Sequence, residues 1–273
     1  MDEKILVIYC LVDDLLRAMN HYEDPQRQVS DAEVMTTAIV AVSYFGGNFS
    51  LALLLLKRPQ YVPNHLSKSQ FNRRLHRIDH LLVCLFHVLA HTWKELNTDL
   101  IYVIDSFPVA VCDNIRIRRS RIYDDEKHRG YIASKKRYFY GLRIHVMVTS
   151  DGKPVEVFLA PGCTADVDAL KVYSFDLPAG SIIYGDKAFN DYEIEDLLKE
   201  VCGINLSPIR KKNSKRQVPG YVEYIQQYHR KIVETAGSLI ERKLPKSIHA
   251  VTSKGFELKV FLFVLACSID FLQ

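Results

Sequence analysis

The feature that most restricts the fold of this chain is a change in residue pattern at residues 95–100. Before it, apolar side chains recur every three or four residues, which is typical of amphipathic helices. After it, β-rich runs alternate with helical segments, and an Asp-Gly pair at 151–152 has the form of a hairpin turn. The pattern predicts a helical region over 1–95, followed by an α/β domain over 96–273 with a mixed sheet flanked by helices. The β-rich runs are 101–111, 140–162 and 181–186.

Helix caps and apolar spacing predict the elements of both regions. Ser30 has the position of a helix cap, and either Ser67 or Ser69 can cap a later helix with a buried apolar stripe. That stripe consists of Phe71, Leu75, Ile78 and Leu82. We expect helices over about 3–20 and 31–44, from about 49, near 165–173 and 190–201, and in two long patterns at the end, with a short strand at 204–209.

Basic residues are unevenly distributed along the chain. The net charge is only +4, and residues 1–95 are close to neutral, whereas three short runs in the second region are dense in Arg and Lys. A single basic run fits a solvated loop as well as a binding site. Three such runs in one domain favour binding of a polyanion, and nucleic acid is the usual one. The three runs are 116–121, 135–137 and 209–216.

The helix that follows Ser67 also has a basic face. Gln70 and three arginines lie on the side opposite the apolar stripe, as in a helix-turn-helix recognition element. An ordinary solvated amphipathic helix has the same pattern, so both interpretations stay open. The three arginines are Arg73, Arg74 and Arg77.

Several classes of protein are excluded by composition. The six cysteines are scattered without a C-x-x-C pair, which fits a reducing cytoplasm better than a disulfide scaffold or a zinc ribbon. Met1 is followed by acids, so no secretory signal is expected. The uncharged stretch 34–56 is interrupted by polar residues and a Gly-Gly turn, and we expect it to form buried helices and not a membrane span.

Two aspartates each follow a hydrophobic strand, Asp105 in VIDSFPV and Asp186 in IYGDKAF. An acid in this position either caps the next element or is a functional group. Carboxylates on separate strands of one sheet can converge on Mg²⁺, which prefers oxygen ligands. A third acid normally completes a pair of ions for phosphoryl transfer, and Glu234 is a candidate. Spacing alone is weak support, because a chain with 32 acids offers many such triples.

The local contexts of these acids are more specific than their spacing. The stretches IDSFPV, YGLRIHVMV, GDKAF and RKIVETAGSLIERK resemble the DDE transposases of bacterial insertion sequences, and among these the family numbered nine-eight-two. The resemblance covers about 100–273 well and includes the spacing of Arg230 and Glu234. It implies an RNase H-like catalytic domain. It also implies Asp105, Asp186 and Glu234 as catalytic residues and ligands of two Mg²⁺ ions, with Mn²⁺ as a substitute.

The resemblance further implies a substrate and a reaction. The substrate is double-stranded DNA at the inverted-repeat ends of a mobile element, which is cleaved and then joined to target DNA. We expect a homodimer, because two ends must be brought together, and a location in the bacterial cytoplasm at the nucleoid. Two alternatives remain: a DNA-binding protein without catalysis, and an RNase H-like nuclease that cuts without joining.

Residues outside the predicted triad have weaker assignments. His145 either reaches the active site or lies in the core, which is favoured. Asp166 and Asp168 are expected to cap a helix, and His87 and His91 to form a packed pair. The expected DNA contacts are Arg73, Arg74, Arg77, Arg116, Arg118, Arg119, Lys187, Arg210, Lys211, Lys212, Lys215, Arg216 and Arg230.

The third acid has a rival on the same helix. Glu241 lies seven residues after Glu234, so both project from nearly the same side, and helix geometry does not choose between them. Arg230, one turn before Glu234, and the small residues Ala236 and Gly237 beside it favour Glu234.

Overall fold

The computed structural model describes residues 1–58, 61–62, 64, 66–113, 122–123, 125–132, 136–173, 175–245 and 247–272. They form two compact units: residues 1–89 with 242–273, called the helical unit below, and residues 90–241, called the sheet unit. The predicted boundary placed all of 96–273 in the catalytic domain. In the structure the last part of the chain packs with the N-terminal helices instead.

The elements follow one another in this order: α1 (Asp2–Ala18), α2 (Asp31–Tyr44), α3 (Phe49–Leu56), α4 (Lys68–Arg77), α5 (Asp79–Leu96), β1 (Ile101–Asp113), β2 (Arg129–Ile132), β3 (Arg137–Thr149), β4 (Pro154–Pro161), α6 (Asp166–Val172), β5 (Ile182–Gly185), α7 (Tyr192–Cys202), β6 (Asn205–Pro208), α8 (Gly220–Lys243) and α9 (Ser253–Asp270). Two short 3₁₀ turns, Glu126–His128 and Lys187–Phe189, precede β2 and α7. The predicted combination of an N-terminal helical region and a mixed α/β domain is confirmed.

The core of the helical unit is built around α2. Ser30 caps this helix, as predicted, in a capping box with Glu33. Helix α2 packs against α1, α3 and α9. Helix α9 is buried on nearly all sides between Phe256 and Ile269, which is typical of a core helix and explains why it belongs to this unit.

The uncharged stretch 34–56 supplies much of this core. Its residues from Val34 to Val42 are all buried. No single helix of the described residues is long and apolar enough to cross a membrane. The pair α2 and α3 has the required length and composition only when taken together, and the two helices are bent by 116°.

The predicted apolar stripe after Ser67 is buried, but two helices share it. Ser67 caps α4 in a capping box with Gln70. Helix α4 ends at Arg77, and Ile78 has a non-helical conformation before α5 begins at Asp79. Phe71 and Leu75 on α4 and Leu82 on α5 are each no more than 1% exposed.

The sheet is mixed, with β3 as the antiparallel strand between β1 and β4. Strand β1 pairs with β3 on one side and with β5 on the other, and β6 follows β5 in parallel. Strands β2 and β4 both pair with β3, at its first and second halves respectively. Gly141 lies beside a bulge in β1 between Ala110 and Cys112, and a Cβ on it would come 2.1 Å from the carbonyl oxygen of Val109. Glycine is therefore required there.

Candidate active site

Neighbouring parallel strands bring Asp105 and Asp186 together. The register of β1 and β5 pairs Val103 with Tyr184; Asp105 stands two residues further along β1, and Asp186 directly follows the last residue of β5. Gly185, directly before Asp186, allows β5 to approach β1 closely, since a Cβ on it would lie 3.3 Å from Ile104 and 3.1 Å from Phe189. The sheet therefore holds the two carboxylates side by side.

The carboxylate of Asp105 is largely buried and lies near other acidic side chains. Burial is the largest cause that raises its pKa, and the Ser106 N–H, which donates a hydrogen bond of 2.8 Å to the carboxylate, lowers it. The carboxylates of Asp186 and Asp166 also raise the pKa of Asp105 and Arg230 lowers it, and together these groups hold the pKa at about 6. An added cation would stabilise such a group of acids, so the site fits a divalent metal.

Asp186 caps a turn and keeps oxygens free for another role. Its Oδ1 accepts a hydrogen bond of 2.6 Å from the Ala188 N–H, at the start of the 3₁₀ turn Lys187–Phe189. A carboxylate offers about four lone-pair sites, so this bond does not exhaust it. The two roles considered from the sequence are therefore compatible.

Helix α8 crosses the face of the sheet on which Asp105 lies. Near its start, Gln226 donates a hydrogen bond of 3.0 Å to Ser207 Oγ on β6. The His229 ring then stacks on Tyr184 of β5 with 5.0 Å between centroids, and Gly237 faces Phe107 of β1. Glu234 lies on α8 between His229, which contacts β5, and Gly237, which faces β1. These two strands lead to Asp186 and Asp105.

Glu234 is less enclosed than the aspartates. Its side chain is 49% exposed and forms an ion pair of 2.9 Å with Arg230 Nε. Both residues line a shallow surface cleft together with Lys187. Among the described residues, the ligand atoms of Asp105, Asp186 and Glu234 do not form a group within 4.8 Å of one another. The structure thus brings the two aspartates together and places Glu234 on the same face, outside a closed set of ligands.

A group of ligand-type residues does occur in the helical unit, but it is an ion-pair network. His21, Glu23 and Asp31 have ligand atoms within 4.8 Å of one another. The buried Asp31 carboxylate accepts hydrogen bonds from Arg27, Arg74 and His21. Burial alone would raise the pKa of Asp31, and the bonds from His21 and Arg74 lower it. These cationic and polar groups already surround the carboxylate, which leaves little need for a metal.

This network changes the assignment of the arginines on α4. Arg74 was expected to face DNA with Arg73 and Arg77, but its side chain is only 16% exposed and is bound to Asp31 and to the Val29 carbonyl. Arg73 and Arg77 are exposed. Arg74 therefore holds α4 within the unit, and of its three arginines only Arg73 and Arg77 are exposed.

Asp166 has a role that the sequence did not indicate. It was expected to cap α6, but the cap position is Ala165 and no side chain caps this helix. Asp166 instead accepts a hydrogen bond of 2.5 Å from Ser106 Oγ, and Arg143 Nη1 lies 3.5 Å from its carboxylate. Ser106 follows Asp105 directly, so Asp166 supports the backbone that carries the candidate ligand. Asp168 is exposed and lies 3.7 Å from Lys171.

Among the described residues, His145, His87 and His91 belong to no group of three ligand-type side chains. His145 lies in the core, as favoured, and stacks on Phe158 with 4.5 Å between centroids. Burial and the charge of Arg143 lower its pKa to about 3, so the ring is neutral. Neither ring nitrogen has a hydrogen-bond partner among the described residues. His87 and His91 are exposed on α5 and do not form a buried pair, and His91 lies 3.3 Å from Glu95.

The basic loop at 209–216 divides into structural and free cations. Arg210 is 11% exposed and bonds both oxygens of Glu195, at 2.5 and 2.8 Å. Arg216 bonds both oxygens of Asp196. Three lysines, Lys211, Lys212 and Lys215, are exposed. The run with Arg116, Arg118 and Arg119 lies outside the described residues.

We expect Arg210→Gln to lower the free energy of unfolding by about 3 kcal/mol, because the buried Glu195 carboxylate loses its two short bonds and, among the described cations, keeps Arg216 at 3.5 Å. Lys211→Gln, one residue away and exposed, should change it by about 0.5 kcal/mol or less. Urea denaturation of the two variants measures the difference. Equal effects would show that Arg210 is not a structural residue.

Comparison with known proteins adds one finding. Residues 95–248 match a protein-family model described as "Transposase DDE domain". The match covers more than half of the chain and includes Asp105, Asp186 and Glu234. No curated protein and no solved structure matches the chain.

Proposed function

The chain belongs to the transposase DDE domain family, and we propose that it is the transposase of a bacterial insertion sequence, of the family numbered nine-eight-two. In this proposal it binds the terminal inverted repeats of the element and catalyses metal-dependent DNA cleavage and strand transfer. Family membership makes it a nucleic-acid-cleaving enzyme. The substrate, the metal and the joining step are the finer parts of the proposal.

The observation that carries the proposal is the pair of aspartates on β1 and β5. They are held side by side by the sheet register, and the pKa of Asp105 is raised to about 6 by burial and by neighbouring acids. The order of β4, β3, β1, β5 and β6, with β3 antiparallel to the others, supports an RNase H-like classification of the domain. Acids at the centre of such a sheet are placed where a phosphodiester can approach from the side of α8.

A divalent cation fits this site. Asp105, Asp186 and Glu234 would hold two Mg²⁺ ions, or Mn²⁺ in their place. When bound, the ions supply charge neutralisation at the attacking and leaving oxygens. The chain itself contributes cations beside the acids, since Lys187 and Arg230 line the same cleft as Glu234 and are suited to contact the scissile phosphate.

Two in-line substitutions at phosphorus account for the proposed reaction. In the first, water attacks at the end of the element, the bond to the 3′ oxygen breaks, and that oxygen leaves as a 3′-hydroxyl. In the second, the 3′-hydroxyl attacks a phosphodiester of target DNA, whose own 3′ oxygen leaves with a proton. The first product is the second nucleophile, so no covalent protein–DNA intermediate is required.

DNA contacts are divided between the two units in this proposal. In the helical unit, Arg73 and Arg77 on α4 read the terminal repeat, as expected of an exposed basic helix face. In the sheet unit, exposed lysines of the 209–216 loop bind the backbone, and Arg116, Arg118 and Arg119 stay predicted contacts. The protein acts as a dimer, in the cytoplasm at the nucleoid, because two ends are joined in one event.

The test is incubation of the purified chain with a duplex of the element's end, a target plasmid and Mg²⁺. We expect DNA nicked at the end and joined to the plasmid, and no product with a chelator in place of Mg²⁺. Nicks without joining would instead identify a nuclease of the same fold. Retardation of the duplex without any product would identify a DNA-binding protein without catalysis.

A further inference from the structure

A second site is suggested by a cleft of about 640 Å³ within the helical unit. Its walls are one face of α4, the starts of α3 and α9, and the segment 247–252. On α4, Lys68, Asn72 and His76 follow one another at intervals of four residues, and all three line the cleft. Its lining shares no residue with the cleft of Glu234 and Arg230, and the reaction described above does not use it.

The charge of this cleft is positive. Among the described residues that line it, Lys68, Lys259, His76 and His249 are basic and none is a carboxylate. Helices α3 and α9 begin there, after the caps Asn48 and Thr252, so the positive ends of two helix dipoles add to the potential. A cleft with this composition favours an anionic ligand.

The two lysines of the cleft differ in their pairing from several other cations of the same unit. Elsewhere in the unit, Arg74 is paired with Asp31, and Lys4 and Lys243 with Asp270. In contrast, the ammonium of Lys259 donates to the His249 carbonyl at 2.5 Å and lies 4.9 Å from the centre of the Phe49 ring. No carboxylate of the described residues lies within 4.0 Å of the Lys259 or Lys68 ammonium. The unit itself leaves these charges uncompensated.

The pKa directions agree with this geometry. Burial and the charge of Lys68 lower the pKa of Lys259, and burial and the charge of Lys254 lower that of His76. Lys254 is already paired with Asp79 at 2.7 Å. An anion between these groups would replace repulsion by attraction.

We propose that the cleft binds the phosphodiester backbone of a DNA strand. A phosphate group has the charge and hydrogen-bond acceptors that two lysines and two helix starts require. The cleft is also much larger than one phosphate group, so it has room for a polymer that runs through it. The inference rests on the proposed DNA-binding function and adds a contact distinct from Arg73 and Arg77, which do not line the cleft.

The experiment measures binding of the full chain to a fluorescent duplex of the element's end, with a chelator present to prevent cleavage. Affinity is determined at several salt concentrations for the wild type, Lys68→Gln, and the double variant Lys68→Gln/Lys259→Gln. The matched control is Lys57→Gln/Arg58→Gln, which removes two exposed charges of the same unit that do not line the cleft. Thermal unfolding without DNA verifies that each variant is folded.

Each phosphate contact contributes about 0.9 to the slope of log affinity against log salt. We therefore expect the slope to fall by about 1 for the single variant and about 2 for the double variant, with roughly tenfold or greater loss of affinity for the latter. The control should keep the wild-type slope. Because Lys68 is exposed, its single variant tests the inference even if the Lys259 change were to unfold the unit.

Three outcomes would overturn this inference, and they are distinguishable. If both cleft variants bind DNA with the wild-type salt slope, the cleft does not contact DNA, and the proposed function is unaffected. Stabilisation by inorganic phosphate that depends on Lys68 and Lys259, without a change in DNA slope, assigns the cleft to a free anion. Failure of the wild type to bind any duplex would remove the proposed function, and the cleft with it.

Discussion

The variant Asp105→Asn is expected to lose DNA cleavage and, in the absence of metal, to unfold at a higher temperature than the wild type. Burial and nearby acids raise the pKa of Asp105 to about 6, against an ordinary value of 3.8. The folded state is therefore penalised when this carboxylate is ionised. The penalty is fully present above about pH 6 and disappears as the pH falls from 6 towards 3.8. A shift of this size corresponds to at most about 3 kcal/mol.

Two measurements test this pair of effects. Thermal unfolding of the metal-free wild type should show rising stability from pH 7 to pH 5, relative to Asp105→Asn, and Mg²⁺ should stabilise the wild type more than the variant. Asp168→Asn is the matched control, since Asp168 is an exposed acid on α6 whose pairing with Lys171 is distant. It should retain cleavage and the wild-type response to Mg²⁺. A less stable Asp105→Asn variant that still cuts DNA would show that the acid is structural.

The variants Glu234→Gln and Glu241→Gln are expected to separate the two candidates for the third acid. Glu234 is ion-paired with Arg230, and Arg230 in turn affects the pKa of Asp105. Glu234 also lines the cleft that contains Lys187. Glu241 is exposed in the last turns of α8, roughly 10 Å further along the helix axis. Only the first of these acids therefore lines this cleft and pairs with a residue whose charge acts on Asp105.

We expect Glu234→Gln to lower the rate of end cleavage at least about a hundredfold, equivalent to roughly 2.7 kcal/mol of transition-state stabilisation. Glu241→Gln should stay within about twofold of the wild type, since it changes an exposed charge outside the cleft. Single-turnover cleavage in Mg²⁺ measures both rates, and DNA binding measured in parallel should be unchanged. The reverse order of effects would assign the third ligand to Glu241 and leave the two aspartates unaffected.

Much of the secondary structure follows from sequence because its causes are local. The capping boxes at Ser30 and Ser67 join residues three apart, and the stripe of Phe71, Leu75 and Leu82 follows from helix spacing. Even there, neither pattern shows that the helix stops at Arg77 and a new one begins at Asp79. The break depends on packing of the whole unit.

The chemistry of individual side chains was harder to predict. Arg74 and Arg210 both belong to Arg-rich stretches, which favour DNA contacts, yet each is held by a buried acid of its own unit. Asp31 is 43 residues from Arg74, and Glu195 is 15 residues from Arg210. Local charge density carries no information about such partners.

The sequence by itself determined that strands precede Asp105 and Asp186 and that helices dominate the first region, because these features depend on residue patterns over a few positions. Only the tertiary structure decided that α9 belongs to the helical unit and that Asp166, 60 residues from Ser106, supports the strand behind Asp105. It also set the β1–β5 register that places the two aspartates side by side. These contacts join distant parts of the chain, and they exist only once the sheet is paired and the core is packed.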